Sequence, residues 1–284
     1  MSSSSVKYES DTGSDERAQR TRTKIQANFQ IARPPPKSSL RFAPKLLLQI
    51  QQLAPNHRPV PVLGIWQPPF RKSKLTRDFH QRVKLRSSDM YATLDETYVT
   101  SSTGQRQDPS NSEQDDDSAP PHKDVVAAMC QSDETISDIH FRDARCSWQV
   151  SAGSTGPAQS TQCYRFTIND EQRDSSDPGR MTLQWEKRSK ENAPAGSVDA
   201  AKFVLLLIDR TARRKSRIAT MTPGGFEIVV RKTSILEHLQ VCLDLTEPVS
   251  STSTRDPHEA LETWLYTQTL TMGVWVAYQE GWLN

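Results

Sequence analysis

The segment Lys202–Val230, KFVLLLIDRTARRKSRIATMTPGGFEIVV, joins an apolar run to a cationic cluster and then to a second apolar run. Residues 203–208, FVLLLI, are apolar at every position, which predicts a strand that is covered on both faces. Phe226 and Ile228 alternate with other residues, as in a half-buried strand. Pro223-Gly224-Gly225 is a turn signal. The segment therefore predicts antiparallel strands joined by hairpins.

Similar alternation extends upstream to about residue 134. It is found in ISDIHF at 136–141, CSWQVS at 146–151, YRFTI at 164–168, MTLQWEK at 181–187 and SRIATM at 216–221. Period-two patterning of this kind is typical of strands with one buried face. Together with the segment above, it predicts an antiparallel sheet of about six or seven strands.

The hydrophobic period then changes to that of a helix. TSILEHLQVCLDL, residues 233–245, has one apolar stripe and predicts an amphipathic helix. In the last segment, Asp256 is a capping residue, Pro257 suits the first helical position and Gly281 suits the C-terminal stop. These signals predict a helix of about 23 residues. Its second half is apolar almost all round, so we expect it to be buried on every side.

The first part of the chain has a different composition. From Arg17 to Arg86 there are 16 Lys and Arg residues against one acid, Asp78, and nine prolines lie between Pro34 and Pro69. Residues 87–132 are polar and of low complexity, with an acidic run from Glu113 to Asp117. Such composition favours disorder. We therefore predict a disordered basic, proline-rich arm and an acidic linker over residues 1–133, followed by an α+β domain over residues 134–284.

Two apolar islands interrupt the basic arm. The spacing of Leu46, Ile50 and Leu53 within KLLLQIQQL is that of a short helix, and RPVPVLGIWQPPF at 58–70 suggests an extended segment. Short apolar segments in a disordered arm are typical of linear motifs that order on a protein partner. The predicted partner-binding residues are Leu46, Leu47, Ile50, Leu53, Leu63, Ile65, Trp66 and Phe70.

A family resemblance rests on LQWEK, FVLLLIDR, SRIATM, GGFEIVV and the terminal helix with Trp264, Trp275 and Val276. These stretches resemble the tubby C-terminal-like architecture that scramblase-like and LURP-like domains share. The resemblance covers residues 134–284 and implies a sheet wrapped around an apolar helix, with a binding role that in some members is directed at phosphoinositides. The expected six or seven strands are too few for the complete twelve-stranded barrel of that family. The whole chain also resembles a poorly characterised class of filamentous-fungal proteins, which implies no activity.

The sequence shows no recognisable catalytic, cofactor-binding or metal-binding motif. HEALE at His258 has Glu262 where a zinc-binding helix needs its second histidine. Cys130, Cys146, Cys163 and Cys242 have no metal-ligand spacing, and the N-terminal segment MSSSSVKYES has no apolar stretch. We expect an intracellular protein, cytoplasmic or nuclear, with free thiols and no transmembrane span, cofactor or small-molecule substrate.

The cationic cluster comprises Arg210, Arg213, Arg214, Lys215 and Arg217. It is predicted to form a hairpin tip, where charge keeps the turn in water and opposes edge pairing. The same residues could bind the phosphates of a lipid headgroup or of nucleic acid, or act in nuclear import. Arg213-Arg214-Lys215-Ser216 also matches a basophilic kinase pattern, and phosphorylation of Ser216 would reduce the positive charge.

The function that the sequence favours is that of a non-catalytic interaction or adaptor protein, with a tubby-like domain and linear binding segments in the arm. The alternative is phosphoinositide or anionic-membrane binding through the basic hairpin at 210–217. A weaker alternative is an enzyme whose site has no recognisable motif.

Overall fold

The computed structural model describes residues 27–35, 43–69, 73–75, 79, 83–95, 125–133, 136–142, 144, 147–155, 161–169, 182–188, 202–209, 214–229 and 257–283. The described residues form fourteen strands and one helix. The strands are β1 Ala27–Ala32, β2 Lys45–Leu53, β3 Val60–Gln67, β4 Ser73–Leu75, β5 Val83–Leu85, β6 Met90–Leu94, β7 Val125–Gln131, β8 Ile136–Phe141, β9 Ser147–Thr155, β10 Thr161–Asn169, β11 Thr182–Arg188, β12 Lys202–Asp209, β13 Arg214–Thr222 and β14 Gly225–Ile228. The helix, α1, is Pro257–Gln279.

Twelve of these strands form a closed antiparallel barrel in the order β1-β14-β13-β12-β11-β10-β9-β8-β7-β6-β3-β2. The first and last strands of the barrel pair with each other, so that Ala27 lies opposite Ile228 and Gln30 opposite Gly225. Closure removes the free edges that an open sheet would leave for aggregation. The prediction of six or seven strands is wrong, because five barrel strands come from residues before 134.

Gly225 allows the closing strands to meet. A Cβ atom at this position would lie 2.0 Å from the carbonyl oxygen of Phe29 on the neighbouring strand. No relaxation of a side chain could relieve that contact, because the obstructing atom belongs to the backbone. The turn signal seen in the sequence at Pro223-Gly224-Gly225 therefore also marks the closing seam of the barrel.

The helix α1 lies inside the barrel. Every residue from Leu265 to Ala277 is buried, as expected for a helix that is apolar nearly all round. Trp275 packs edge-on against Tyr164 and Phe166 of β10, whereas Tyr266 contacts Phe29 of β1. The helix thus contacts well-separated strands of the ring, and its core position is confirmed.

The structure confirms the predicted roles of Pro257 and Gly281 at the two ends of α1. The helix begins at Pro257 and has 23 residues. Gly281 adopts a left-handed conformation with φ of 71°, its N–H donates to the carbonyl of Tyr278, and the N–H of Trp282 donates to that of Ala277. This pair of hydrogen bonds is a Schellman motif. Asp256 and the predicted helix at 233–245 lie outside the described residues.

The predicted domain boundary at 134 does not fit the structure, and the expected arm supplies part of the barrel. The strands β1, β2, β3, β6 and β7 lie between residues 27 and 131. Proline density was misleading here, because prolines can be placed where a ladder is interrupted. Pro61 of β3 lies at a register shift between β2 and β3. Residues 1–26 lie outside the described part of the chain.

The apolar islands are barrel strands and not free binding segments. Leu48 and Ile50 of β2 and Leu63 and Ile65 of β3 are buried in the core, so the helical spacing assigned to Leu46, Ile50 and Leu53 is wrong. The core-facing residues of these segments repeat every two positions, as in a strand, and not every three or four. Leu46, Leu47 and Trp66 are half-buried, Leu53 is exposed, and Phe70 lies outside the described residues.

A short two-stranded ribbon, β4–β5, lies on the outside of the barrel. Its buried side chains Leu75, Val83 and Leu85 join Phe79 in a second apolar cluster that includes Tyr91 of β6 and residues of β7. We call the outer surface of β3, β6 and β7 beneath this ribbon the covered wall. The ribbon gives those three strands a second buried face.

Candidate anion-binding face

Five cations lie on the outer surface of four adjacent strands, β10 to β13. Strand alternation places them outside: Arg165 lies between the core residues Tyr164 and Phe166, and Lys202 precedes the core residue Phe203. Lys215 and Arg217 flank Ser216, which pairs with the core residue Leu207. We call this surface the basic wall, defined by the exposed side chains of Arg165, Arg188, Lys202, Lys215 and Arg217.

Glu186 lies at the centre of the basic wall. Its side chain is only 5% exposed although it belongs to the outer face of β11. One carboxylate oxygen accepts a hydrogen bond from Arg188 at 2.6 Å, and the other accepts from Lys215 at 3.3 Å and from the buried Gln184 amide at 2.9 Å. A buried carboxylate needs such partners to offset its desolvation. Glu186 therefore holds two cationic side chains, from β11 and β13, in fixed positions.

The cations exceed what Glu186 can neutralise. Among the described residues, no carboxylate forms an ion pair with Arg165, Lys202 or Arg217. Arg188 and Lys202 are register partners in neighbouring strands, and like charges placed directly opposite each other are unfavourable. Arg188 and Lys215 remain 56% and 57% exposed despite their contact with Glu186. An anion that approaches this wall would relieve the repulsion and would meet two cations, Arg188 and Lys215, that are already held in position.

The cationic cluster predicted from the sequence contributes only part of the basic wall. Lys215 and Arg217 lie on β13 and belong to the wall, and Arg214 is the first residue of that strand. β12 and β13 pair as the predicted hairpin, with Asp209 opposite Arg214. Arg210 and Arg213 lie outside the described residues.

Ser216 has a different environment from its cationic neighbours. It is half-buried and pairs with Leu207, whose side chain is in the core, so it lies on the opposite face of β13 from Lys215 and Arg217. A kinase needs an extended and accessible substrate segment, and a paired strand does not provide one. Phosphorylation of Ser216 stays a prediction, and it would require the end of this strand to separate from β12.

Residue types used in thiol and metal chemistry lie together on the outer face of β7 and β8. Cys130 lies directly opposite Asp138, and His140 follows two residues later on the same face. Burial, with Asp89 and Asp138 adding to it and Arg86 opposing it, raises the pKa of the Cys130 thiol to about 12. Burial likewise lowers the pKa of His140, against the effect of Asp138. A thiol with so high a pKa is protonated at neutral pH and is a poor nucleophile.

No group of three or more His, Cys, Asp or Glu side chains in the described ranges is arranged to hold a metal ion. Cys130 is a free thiol, and Cys146 and Cys242 lie outside the described residues. The described helix is not long and apolar enough to span a membrane. No protein-family model, curated protein or solved structure matches the chain.

Sequence reasoning missed Arg165, Glu186, Arg188 and Lys202 as members of a common site. The alternation of polar and apolar residues in each strand could have shown that these four side chains point outward. We used that alternation only to identify core residues. The site depends on the register between neighbouring strands. This register places Arg188 opposite Lys202 and Arg165 opposite Gln184. Register between strands separated by loops is not encoded in any local pattern.

Proposed function

We propose that this protein binds phosphate-bearing anions, and phosphoinositide headgroups in particular, through the basic wall. The observation that carries the proposal is the presence of five exposed cations on four adjacent strands, two of which contact one buried carboxylate. Phosphate is a strong acceptor for arginine, and clustered lysines add attraction that does not depend on geometry. Glu186 already holds Arg188 and Lys215 in place, so these two side chains lose little further entropy when an anion binds.

The proposal includes a tubby-like fold for the barrel. Its support is the closed antiparallel ring of twelve strands with an apolar C-terminal helix inside it. The resemblance seen in the sequence implied that architecture, and the shortfall of strands that spoke against it is removed. Headgroup binding is an activity of some members of that family, and the basic wall supports it for this chain on independent grounds.

The adaptor function favoured by the sequence depended on linear segments in residues 17–86. Two such segments are the barrel strands β2 and β3, and their main apolar residues are buried. Those residues cannot bind a partner without opening the barrel. We retain the non-catalytic role and an intracellular location, cytoplasmic or nuclear, as parts of the proposal, and assign the binding to the basic wall.

A charge-matched pair of variants tests the proposal. Arg165→Gln combined with Arg217→Gln removes two cations of the basic wall, and Arg58→Gln combined with Lys84→Gln removes two exposed cations elsewhere. Calorimetry with soluble inositol hexakisphosphate should show at least a tenfold loss of affinity for the first pair only, since each basic contact contributes about 1 kcal/mol. Binding of the wild type should weaken between about 50 and 200 mM salt.

Equal losses in both variants would show that net charge alone attracts the anion, and the basic wall would then not be a site. Absence of binding by the wild type at low salt would reject the proposed function. Circular dichroism on each variant verifies that the barrel has remained folded, since exposed substitutions of this kind usually change stability by less than about 0.5 kcal/mol.

A further inference from the structure

One end of the barrel combines exposed cations with exposed apolar surface. We call it the helix-exit end, because α1 finishes there. Exposed cations come from the strand ends and turns around this opening, namely Arg33 after β1, Lys45 at the start of β2, Arg86 after β5, Arg188 at the end of β11 and Lys202 at the start of β12. Only the last two also belong to the basic wall.

Apolar side chains lie within this ring of cations. Tyr278, in the last turn of α1, is 40% exposed and is one of two large apolar side chains exposed to this degree in the described residues. Trp282 and Leu283 follow it and are half-buried. The left-handed Gly281 turns the chain back, so that the Trp282 ring packs against Phe203 with ring centroids 5.6 Å apart. Arg33 donates a hydrogen bond to the Trp282 carbonyl.

A polar network fixes the end of the helix to the barrel. Glu280 has a buried side chain and accepts hydrogen bonds from Tyr164 at 2.6 Å, from Gln162 at 2.8 Å and from Lys187 at 2.7 Å. The Lys187 ammonium group also lies 5.7 Å from the centre of the Phe203 ring. The exposed aromatic surface is therefore held in place before any ligand arrives, and docking costs little conformational entropy.

Negative charge is scarce at the surface of this end. Five described carboxylates lie near it, those of Asp89, Asp133, Asp138, Glu186 and Glu280. Glu186 is paired with Arg188 and Glu280 with Lys187, whereas Asp89 accepts backbone hydrogen bonds and Asp138 accepts one from Ser132. Asp133 is the exposed one. Among the exposed side chains of the described residues at this end, cations therefore outnumber carboxylates by five to one.

We infer that the helix-exit end docks on the surface of an anionic lipid bilayer. Tyrosine and tryptophan favour the interfacial layer, where one part of the ring is apolar and the other is hydrated. Basic residues around them are attracted to anionic headgroups. Neither a soluble anion nor nucleic acid accounts for the apolar centre. The inference rests on the proposed function only through Arg188 and Lys202, and it adds an orientation in which α1 points its C-terminus at the membrane.

The opposite end of the barrel provides a matched control. Leu53 is also 40% exposed, but it pairs with Asn28 at the far end of β1, away from the exit of the helix. Tyr278→Ser and Leu53→Ser in the full-length chain should therefore remove similar apolar exposure from opposite ends. Co-sedimentation with phosphatidylcholine vesicles containing phosphatidylserine should weaken by roughly fivefold to tenfold for Tyr278→Ser and stay unchanged for Leu53→Ser.

An environment-sensitive fluorophore gives a second readout of orientation. Attached to a cysteine at position 278, it should shift its emission to shorter wavelength on anionic vesicles, whereas the same label at position 53 should not. Arg33→Gln with Lys45→Gln should weaken vesicle binding and leave inositol hexakisphosphate binding unchanged, because neither residue belongs to the basic wall.

These measurements separate this inference from the proposed function. Loss of hexakisphosphate affinity in the basic-wall variant, together with no effect of Tyr278→Ser on vesicles, would overturn the docking orientation and keep the headgroup site. Vesicle binding that depends on Tyr278, together with hexakisphosphate affinity that is unchanged in the Arg165→Gln and Arg217→Gln double variant, would overturn the headgroup site and keep the docking orientation. Equal shifts of the two fluorophores would also overturn the inference.

Discussion

The basic wall and the covered wall lie on opposite sides of the barrel. Both direct apolar side chains into the core, but their outer surfaces differ. The basic wall, over β10–β13, leaves five cations in solvent around the buried Glu186. The covered wall, over β3, β6 and β7, is beneath the β4–β5 ribbon and buries Leu85, Tyr91 and Val125. In the ring of twelve strands these two sets lie across from each other.

This difference separates residues that stabilise the fold from residues that are available for binding. A side chain on the outer face of the covered wall has an apolar neighbour from the ribbon, so its substitution should cost stability. A side chain on the basic wall has water as its neighbour, so its substitution should change binding and leave the fold intact. The exception is Glu186, which is buried within the basic wall and should affect both properties.

The largest effect is expected on the covered wall. Leu85 of the ribbon is 1% exposed, and Leu85→Ala should destabilise the protein by about 2–5 kcal/mol, because it removes buried apolar contacts and leaves a cavity. Lys84→Gln, at the neighbouring exposed position, should be within about 0.5 kcal/mol of the wild type. Chemical denaturation measures both. Similar stabilities for the two variants would mean that the ribbon does not contribute to the folded barrel.

A smaller effect is expected at the centre of the basic wall. Glu186→Ala should cost about 1–3 kcal/mol, mainly because the buried Gln184 amide loses its acceptor, whereas Arg188 and Lys215 can return to water. Glu186→Gln keeps an acceptor at the same place and should cost less. Thermal melts of the two variants compare them directly. If Gln is as damaging as Ala, the charge of Glu186 and not its hydrogen bonding stabilises this wall.

The same contrast explains how much of the fold could be predicted from the sequence. After residue 134, the seven strands and the terminal helix had clear periodicity, because the inner side of the barrel demands alternation and the enclosed helix demands apolarity on all sides. Before residue 134, the alternation of Leu48 and Ile50 was mistaken for part of a helical stripe, because a register shift between Leu46 and Leu48 interrupts it and Leu47 is apolar too. Residues 125–129 show no alternation of polar and apolar side chains, because the ribbon covers the outer face of β7 and both faces of this strand are buried.

The candidate site was less predictable than the fold. The cluster at 210–217 was visible because its five cations lie within eight consecutive positions, and Lys215 and Arg217 do belong to the basic wall. Arg165 and Lys202 join them only through strand pairing across three ladders. Charge segregation over residues 17–86 indicated disorder by composition, although Arg33 and Lys45 lie at strand ends and can stay hydrated at the end of a barrel.

The smallest expected effect is a change in stability at high pH that belongs to the covered wall. Burial beneath the ribbon raises the pKa of Tyr91 to about 12, from an ordinary value of 10.0. Between those two values the unfolded chain loses the phenolic proton while the folded chain retains it. The folded state is thus favoured below pH 10.0, and this contribution is lost as the pH rises toward about 12.

Tyr91→Phe removes the ionisable group but keeps the ring beneath the ribbon, so its stability should decline less steeply above pH 10 than that of the wild type. Tyr278→Phe, at an exposed tyrosine on the helix-exit end, is the control. Urea denaturation at a series of alkaline pH values gives the slopes, and ultraviolet difference absorbance follows phenolate formation. Parallel slopes for Tyr91→Phe and the wild type would show that the ribbon admits water to the covered wall, and the contrast between the two walls would then be smaller than their burial indicates.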